Sequence, residues 1–157
     1  MRKITFLLAV FGLTGSLWAA DPIIGTWKLN VEQSKIAPSN TAPKAATDVY
    51  KETGKDQIEF TRTGTQVDGA AIFSKWTWPR IGGTAERLSP EPLPKEIAYI
   101  ELLVDPGYWF VTILQNGKQN SLMQKTISKD GKTMRIRIKS LDAQGNVVEE
   151  LNVFDRQ

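Results

Sequence analysis

The turns constrain this chain most. Gly54-Lys55-Asp56, Val67-Asp68-Gly69, Asp105-Pro106-Gly107, Asn116-Gly117, Asp130-Gly131 and Gln144-Gly145 recur between short runs in which apolar and polar residues alternate. Asn-Gly and Asp-Gly supply the positive φ angles that tight hairpins require, and alternation marks a strand with one buried face. "IIGTWKLNV", "TDVYKET", "QIEFTRT", "AAIFSKWTW", "IAYIELLV", "YWFVTILQ", "SLMQKTIS", "TMRIRIKSL" and "NVVEELNVF" all read as strands, and no segment sustains an amphipathic helix of three turns. Consecutive hairpins make an up-and-down meander. A sheet this wide exposes two edges unless it closes on itself. The expected fold is therefore all-β, an up-and-down antiparallel β-barrel of roughly eight to ten strands. An immunoglobulin-like sandwich would need Greek-key crossovers, and an outer-membrane barrel would show aromatic girdles at both ends.

Two segments fall outside the strand pattern. "EQSKIAPSNTAPKAA" reads as a long loop with Pro38 and Pro43, and "PRIGGTAERLSPEPLPKE", with Gly82, Gly83 and Pro90, Pro92 and Pro94, reads as a second. A loop of that length in a small domain is either a lid or binding loop, or an unstructured excursion.

The first twenty residues, "MRKITFLLAVFGLTGSLWAA", have a basic start, an apolar run and small residues at Ala19 and Ala20. That is the pattern of a secretory signal peptide, and the run is too short and too broken by Gly12, Gly15 and Ser16 for a membrane span. Residues 1–20 are thus expected to be removed, leaving 21–157 as one domain in a secreted or periplasmic setting. The formal charge of +3 loses Arg2 and Lys3 with the leader and falls to +1. No basic face for a nucleic acid is implied, because Arg135, Arg137 and Lys139 alternate with Met134, Ile136 and Ile138 as the wet side of a strand.

The chain has no histidine and no cysteine. Thiol and imidazole catalysis, disulfides, a lipid-modified cysteine and the common zinc and copper sites are excluded with them. No catalytic residue, metal ligand or cofactor is assigned. A carboxylate-pair hydrolase needs only two acids on facing strands, but Glu149 and Glu150 are adjacent and so point to opposite faces, and Glu59 and Glu101 read as solvated.

The aromatic residues carry more information. Trp76 and Trp78 share a strand face about 7 Å apart and, with Phe60 and Phe73, are candidates to line a pocket for a small hydrophobic or amphipathic molecule. The bland reading is core filling. "YWFVTIL" is apolar on both faces, which calls for cover on its outer side by a loop or by a second molecule. A homodimer through Tyr108–Leu114 is one such cover. A packed barrel acting as an interaction or envelope-associated module, without a ligand, is the alternative function.

"GTWKL" near the start and "NVFDRQ" at the end resemble the two termini of calycin barrels, the group containing lipocalins and fatty-acid-binding proteins. More closely, "GTWKLNVEQSK" with "SKDGKTMRIRIKSLDAQGNVVEELNVFDRQ" is similar to secreted bacterial lipocalin-like proteins of unassigned activity, while the middle of the chain is unmatched. The resemblance implies that Trp27 lies across the closed end of the barrel beneath Arg156, with Gly25 allowing the close approach. It also implies ligand-facing positions at Asn152 and Phe154, where fatty-acid-binding proteins place an Arg-x-Tyr anchor. Lacking that charge and hydroxyl, the pocket is expected to favour neutral, ring-containing ligands over fatty-acid anions.

Overall fold

The computed structural model describes residues 21–157 apart from 38, 40, 41, 55 and 143. The expected leader lies outside the described residues. Ten strands follow one another: β1 (Gly25–Leu29), β2 (Pro43–Thr53), β3 (Gln57–Gln66), β4 (Ala71–Pro79), β5 (Gly82–Ser89), β6 (Ile97–Asp105), β7 (Tyr108–Gln115), β8 (Lys118–Ile127), β9 (Thr133–Leu141) and β10 (Val147–Arg156). Each pairs antiparallel with its sequence neighbours, and β1 pairs with β10 to close the barrel. Trp27 stands opposite Arg156 across that seam and opposite Asp48 on the other side.

Period-two alternation decides what is inside. In β9, Met134 and Ile136 are buried while Arg135 and Arg137 are exposed. The core joins Ile23, Trp27, Leu29, Tyr50, Ile58, Trp78, Trp109, Met134 and Phe154 from most of the way round the wall.

The segment expected as a second long loop contains a strand. β5 is polar, with Ala85 its one buried side chain, so it lacks the apolar alternation by which a strand is read. Backbone fit makes it one. Gly82 has φ +112°, and a Cβ there would stand 2.6 Å from the Glu101 carbonyl oxygen, so only glycine lets β5 start this close to β6.

β10 buries Asn152, Val153 and Phe154 in succession because both of its faces are covered there. Phe154 faces the interior. Val153, also buried, lies outside that interior cluster, on the face where the 30–36 segment returns. Asn30 N–H donates to the Val153 carbonyl, Ser34 Oγ accepts from Val153 N–H, and Lys35 and Leu151 exchange two backbone bonds.

Candidate binding site inside the barrel

One end of the barrel is sealed by the residues that open β1 and end β10. Trp27 is fully buried, and its Nε1 donates to the Ile23 carbonyl at 2.8 Å. The Arg156 guanidinium lies 4.2 Å from the centre of the Trp27 ring. It donates from Nε to the Gly131 carbonyl at 2.6 Å, from Nη1 to the Ile24 carbonyl at 2.8 Å and from Nη2 to the Pro22 carbonyl. Gly25 makes room: with φ +140°, a Cβ there would come within 2.7 Å of Arg156 Nη1. The structure thus brings Gly25, Trp27 and Arg156 together, and Asp21, Arg80 and Glu52 add ion pairs at this end.

Beyond Trp78 the interior opens into a cavity of about 210 Å³. Its aromatic wall is Tyr50, Phe60, Trp76, Trp78 and Tyr99, with Ala85, Val111, Met123 and Ile136 filling the gaps. Tyr50 and Phe60, opposite each other on β2 and β3, have ring centres 4.8 Å apart, and Trp76 meets Tyr99 at 4.7 Å. Arg87, opposite Trp76 on β5, lies over the Trp76 ring at 5.8 Å and donates to the Glu91 carbonyl.

Of the expected ligand-facing residues, Phe60, Trp76 and Trp78 line this cavity. Phe73 does not. It is 51% exposed, because β4 alternates and an odd-numbered residue must face away from Ser74, Trp76 and Trp78. Asn152 and Phe154 are buried but lie outside the cavity lining. The Phe154 ring packs 5.6 Å from the Arg62 guanidinium, and Asn152 Oδ1 is buried without a hydrogen-bond partner among the described residues. In "YWFVTIL", Trp109 and Val111 point inward and are buried, while Tyr108 and Phe110 stack on each other outside at 5.2 Å.

The charged residues are the main departure from expectation. The pocket was expected to lack a cation, yet Arg62 from β3 and Lys125 from β8 both line it. Arg62 reaches across to Asp48 on β2 with two bonds of 2.7 Å, from Nε and Nη2. Burial alone would lower the Arg62 pKa; the charge and hydrogen bonds of Asp48 reverse that and hold it raised. Lys125 donates to Glu101, both buried. Glu101, expected on a solvated face, is inward, whereas Glu59 pairs with Lys75 and Glu149 with Lys139 at 2.8 Å each. Tyr50 sits between the two ion pairs, with Lys125 Nζ 5.6 Å from its ring centre and 5.1 Å from that of Trp78. Burial, then the negative charges of Asp48 and Glu101, push the Tyr50 phenol well above its usual range, so it stays a hydroxyl. Burial also raises Tyr99, against the opposing pull of Arg87.

The signal missed in the sequence was parity. Asp48 and Tyr50, Phe60 and Arg62, and Glu101 each sit on the inward register of their strands. An acid on the inward register of β2 and a base on that of its hairpin partner form a cross-strand pair. Among the described residues no group of three or more acidic, histidine or cysteine side chains is placed to hold a metal ion.

This architecture is a calycin-like barrel, all antiparallel and closed by ten strands. Among the solved structures similar to the chain are the following three. A mutant of the fluorescent protein UnaG matches with a TM-score of 0.61 and 14% identity, over 87% of this chain and 96% of that one. Zebrafish ileal bile acid-binding protein complexed with cholic acid matches with a TM-score of 0.53 and 10% identity, over 87% and 99%. Rv2717c from M. tuberculosis matches with a TM-score of 0.51 and 15% identity, over 87% and 93%. No protein-family model matches the sequence, and no curated protein does.

Proposed function

We propose that this protein is a secreted or periplasmic carrier that holds a small hydrophobic or amphipathic molecule inside its barrel, without chemical turnover. The cavity carries the reading: an aromatic-walled space open at one side above a sealed floor, in a fold whose similar structures include a bile acid-binding protein seen with cholic acid. At about 210 Å³ it lies below the ~300–1,000 Å³ of drug-sized sites. The ligand is therefore small, on the scale of one or two rings. Phe60, Trp76 and Trp78 supply its apolar contacts. Secretion rests on the leader pattern of residues 1–20, and sequencing the exported protein should find Ala20 or Asp21 at its start.

Titration with a naphthalene-sized probe, followed by tryptophan fluorescence, tests the carrier reading. Ala85→Leu fills the cavity from the β5 wall without touching either ion pair and should abolish the response while leaving the protein folded. An unchanged response in that variant would place the probe elsewhere.

A second reading, an interaction module, is favoured by the outer face of β6. Ile100, Leu102 and Val104 are all exposed there, and Leu102 stands opposite Phe110 on β7. A homodimer through Tyr108–Leu114 would cover that stripe, and sedimentation across a concentration series tests it. Parent protein that stays monomeric at the highest concentration rules the dimer out.

A further inference from the structure

The polar groups lining the cavity are balanced in charge but not in hydrogen bonding. Arg62 and Lys125 each face a buried carboxylate, Asp48 and Glu101, so the two pairs leave no net charge. Their donors are far from used up. Arg62 spends Nε and Nη2 on Asp48, and Nη1 has no acceptor among the described residues. Lys125 spends one of three N–H groups on Glu101. The hydroxyls of Tyr50 and Ser74, which line the same space, make no hydrogen bond among the described residues. Arginine and lysine cannot accept. Apart from the hydroxyl oxygens themselves, the side-chain acceptor left over among the described residues of the lining is the second oxygen of Glu101.

A donor-rich, charge-neutral cavity selects its occupant in two ways. A pure hydrocarbon would leave the spare donors without acceptors, which is costly in a buried site. A carboxylate would meet donors, but its charge would be uncompensated, because Arg62 and Lys125, the two cations of the lining, are each committed to an acid, and Arg87, bonded to a backbone carbonyl, stands outside the lining across the Trp76 ring. An uncharged ring bearing a carbonyl satisfies both requirements. Its oxygen accepts from the donors around Tyr50, and its ring lies against Trp76, Trp78 and Phe60.

We propose that the barrel recognises a small uncharged aromatic carbonyl compound, an aryl ketone or quinone-like ring system, with its oxygen held by the donors of Tyr50, Lys125 and Arg62. This rests on the carrier reading above and names the ligand class within it. The earlier expectation of a neutral ligand is thereby given a different cause: the cations are present, and they are already paired.

Three probes of matched shape separate the possibilities: 2-acetylnaphthalene, its hydrocarbon counterpart 2-isopropylnaphthalene, and 2-naphthoate. The ketone should bind about tenfold or more tightly than either of the others, the gain expected of a hydrogen bond from a charged or buried donor. Its carbonyl stretch should also shift to lower frequency in the complex. Tyr50→Phe and the shape-preserving double variant Lys125→Met with Glu101→Leu should each reduce the preference for ketone over hydrocarbon while leaving hydrocarbon affinity in place. The double variant removes both members of a buried pair and so leaves no orphan charge. Equal binding of ketone and hydrocarbon, or an unshifted carbonyl, would overturn the proposal while leaving the carrier reading standing. Tightest binding by naphthoate would overturn it too, by showing a cation free to take an anion. If none of the three binds, the carrier reading fails with it.

Discussion

Replacing Arg156 by alanine should loosen the sealed end of the barrel, and the size of the effect follows from four contacts. The guanidinium lies 4.2 Å from the centre of the fully buried Trp27 ring and is itself half-buried, a geometry worth about 1–2 kcal/mol. It also donates to the carbonyls of Gly131, Ile24 and Pro22, bonds to a charged group of about 1.5–3 kcal/mol each when counted alone. These do not simply add, since carbonyls at the rim regain water once the side chain is gone. A net loss of about 3–5 kcal/mol is expected. At roughly 2–4 °C per kcal/mol for a chain of this size, Tm should fall by about 10 °C. Urea unfolding followed by tryptophan fluorescence reads the same quantity as a lower midpoint at unchanged slope. Arg156→Lys keeps the charge but not the fork, and should recover only a minor part.

Gly25 gives an internal check. Gly25→Ala meets two costs, the positive φ of 140° and a Cβ placed 2.7 Å from Arg156 Nη1. Only the second disappears in the Arg156→Ala background. The double variant should therefore be less destabilised than the sum of the singles, with a coupling of about 0.5–3 kcal/mol. Strict additivity, or a loss below about 1 kcal/mol for Arg156→Ala, would refute the account of how this end is closed.

Phe73→Ser, on the outer face, should change stability by less than about 0.5 kcal/mol by urea titration and leave probe binding untouched. Asp48→Ala strands the Arg62 charge and should cost about 3–5 kcal/mol, much of it recovered when Arg62→Met is added. The raised pKa of the Tyr50 phenol contributes stability that is present below its unfolded value of 10.0 and lost as pH rises through the folded value. Parent protein should accordingly lose more stability than Tyr50→Phe between mildly and strongly alkaline pH, and identical pH profiles for the two would contradict the buried position of that hydroxyl.

The barrel was legible because hairpin chemistry and alternation are local properties. Asn116-Gly117 and Asp130-Gly131 announce turns from two residues, and "TMRIRIKSL" announces a strand from nine, whatever lies across from them. β5 was illegible for the same reason. "GGTAERLS" carries little apolar signal of its own, and it is a strand because Gly82 lets its backbone lie against Glu101 and Leu102. Closure supplies the ladder partners that the local sequence does not ask for. The seal at Trp27 was legible through resemblance and chain ends, since the start of the first strand and the end of the last must meet when a meander closes.

The interior chemistry needed a different kind of information. Whether an acid in a strand faces water or core depends on register, and a shift of one residue reverses the answer. Glu59 and Glu101 look alike in sequence, each between apolar neighbours, yet one pairs with Lys75 on the outside and the other with Lys125 within. Register also undoes the inference from missing anchors at Asn152 and Phe154. A closed barrel offers its interior to every strand, so a cation absent from β10 can be supplied by β3 or β8. Each such cation then needs its own acid to be tolerated there, and Asp48 and Glu101 meet that need. The interior that results has no net charge from these pairs and still has hydrogens to donate. Fatty-acid recognition would require the reverse, a cation whose partner is the ligand.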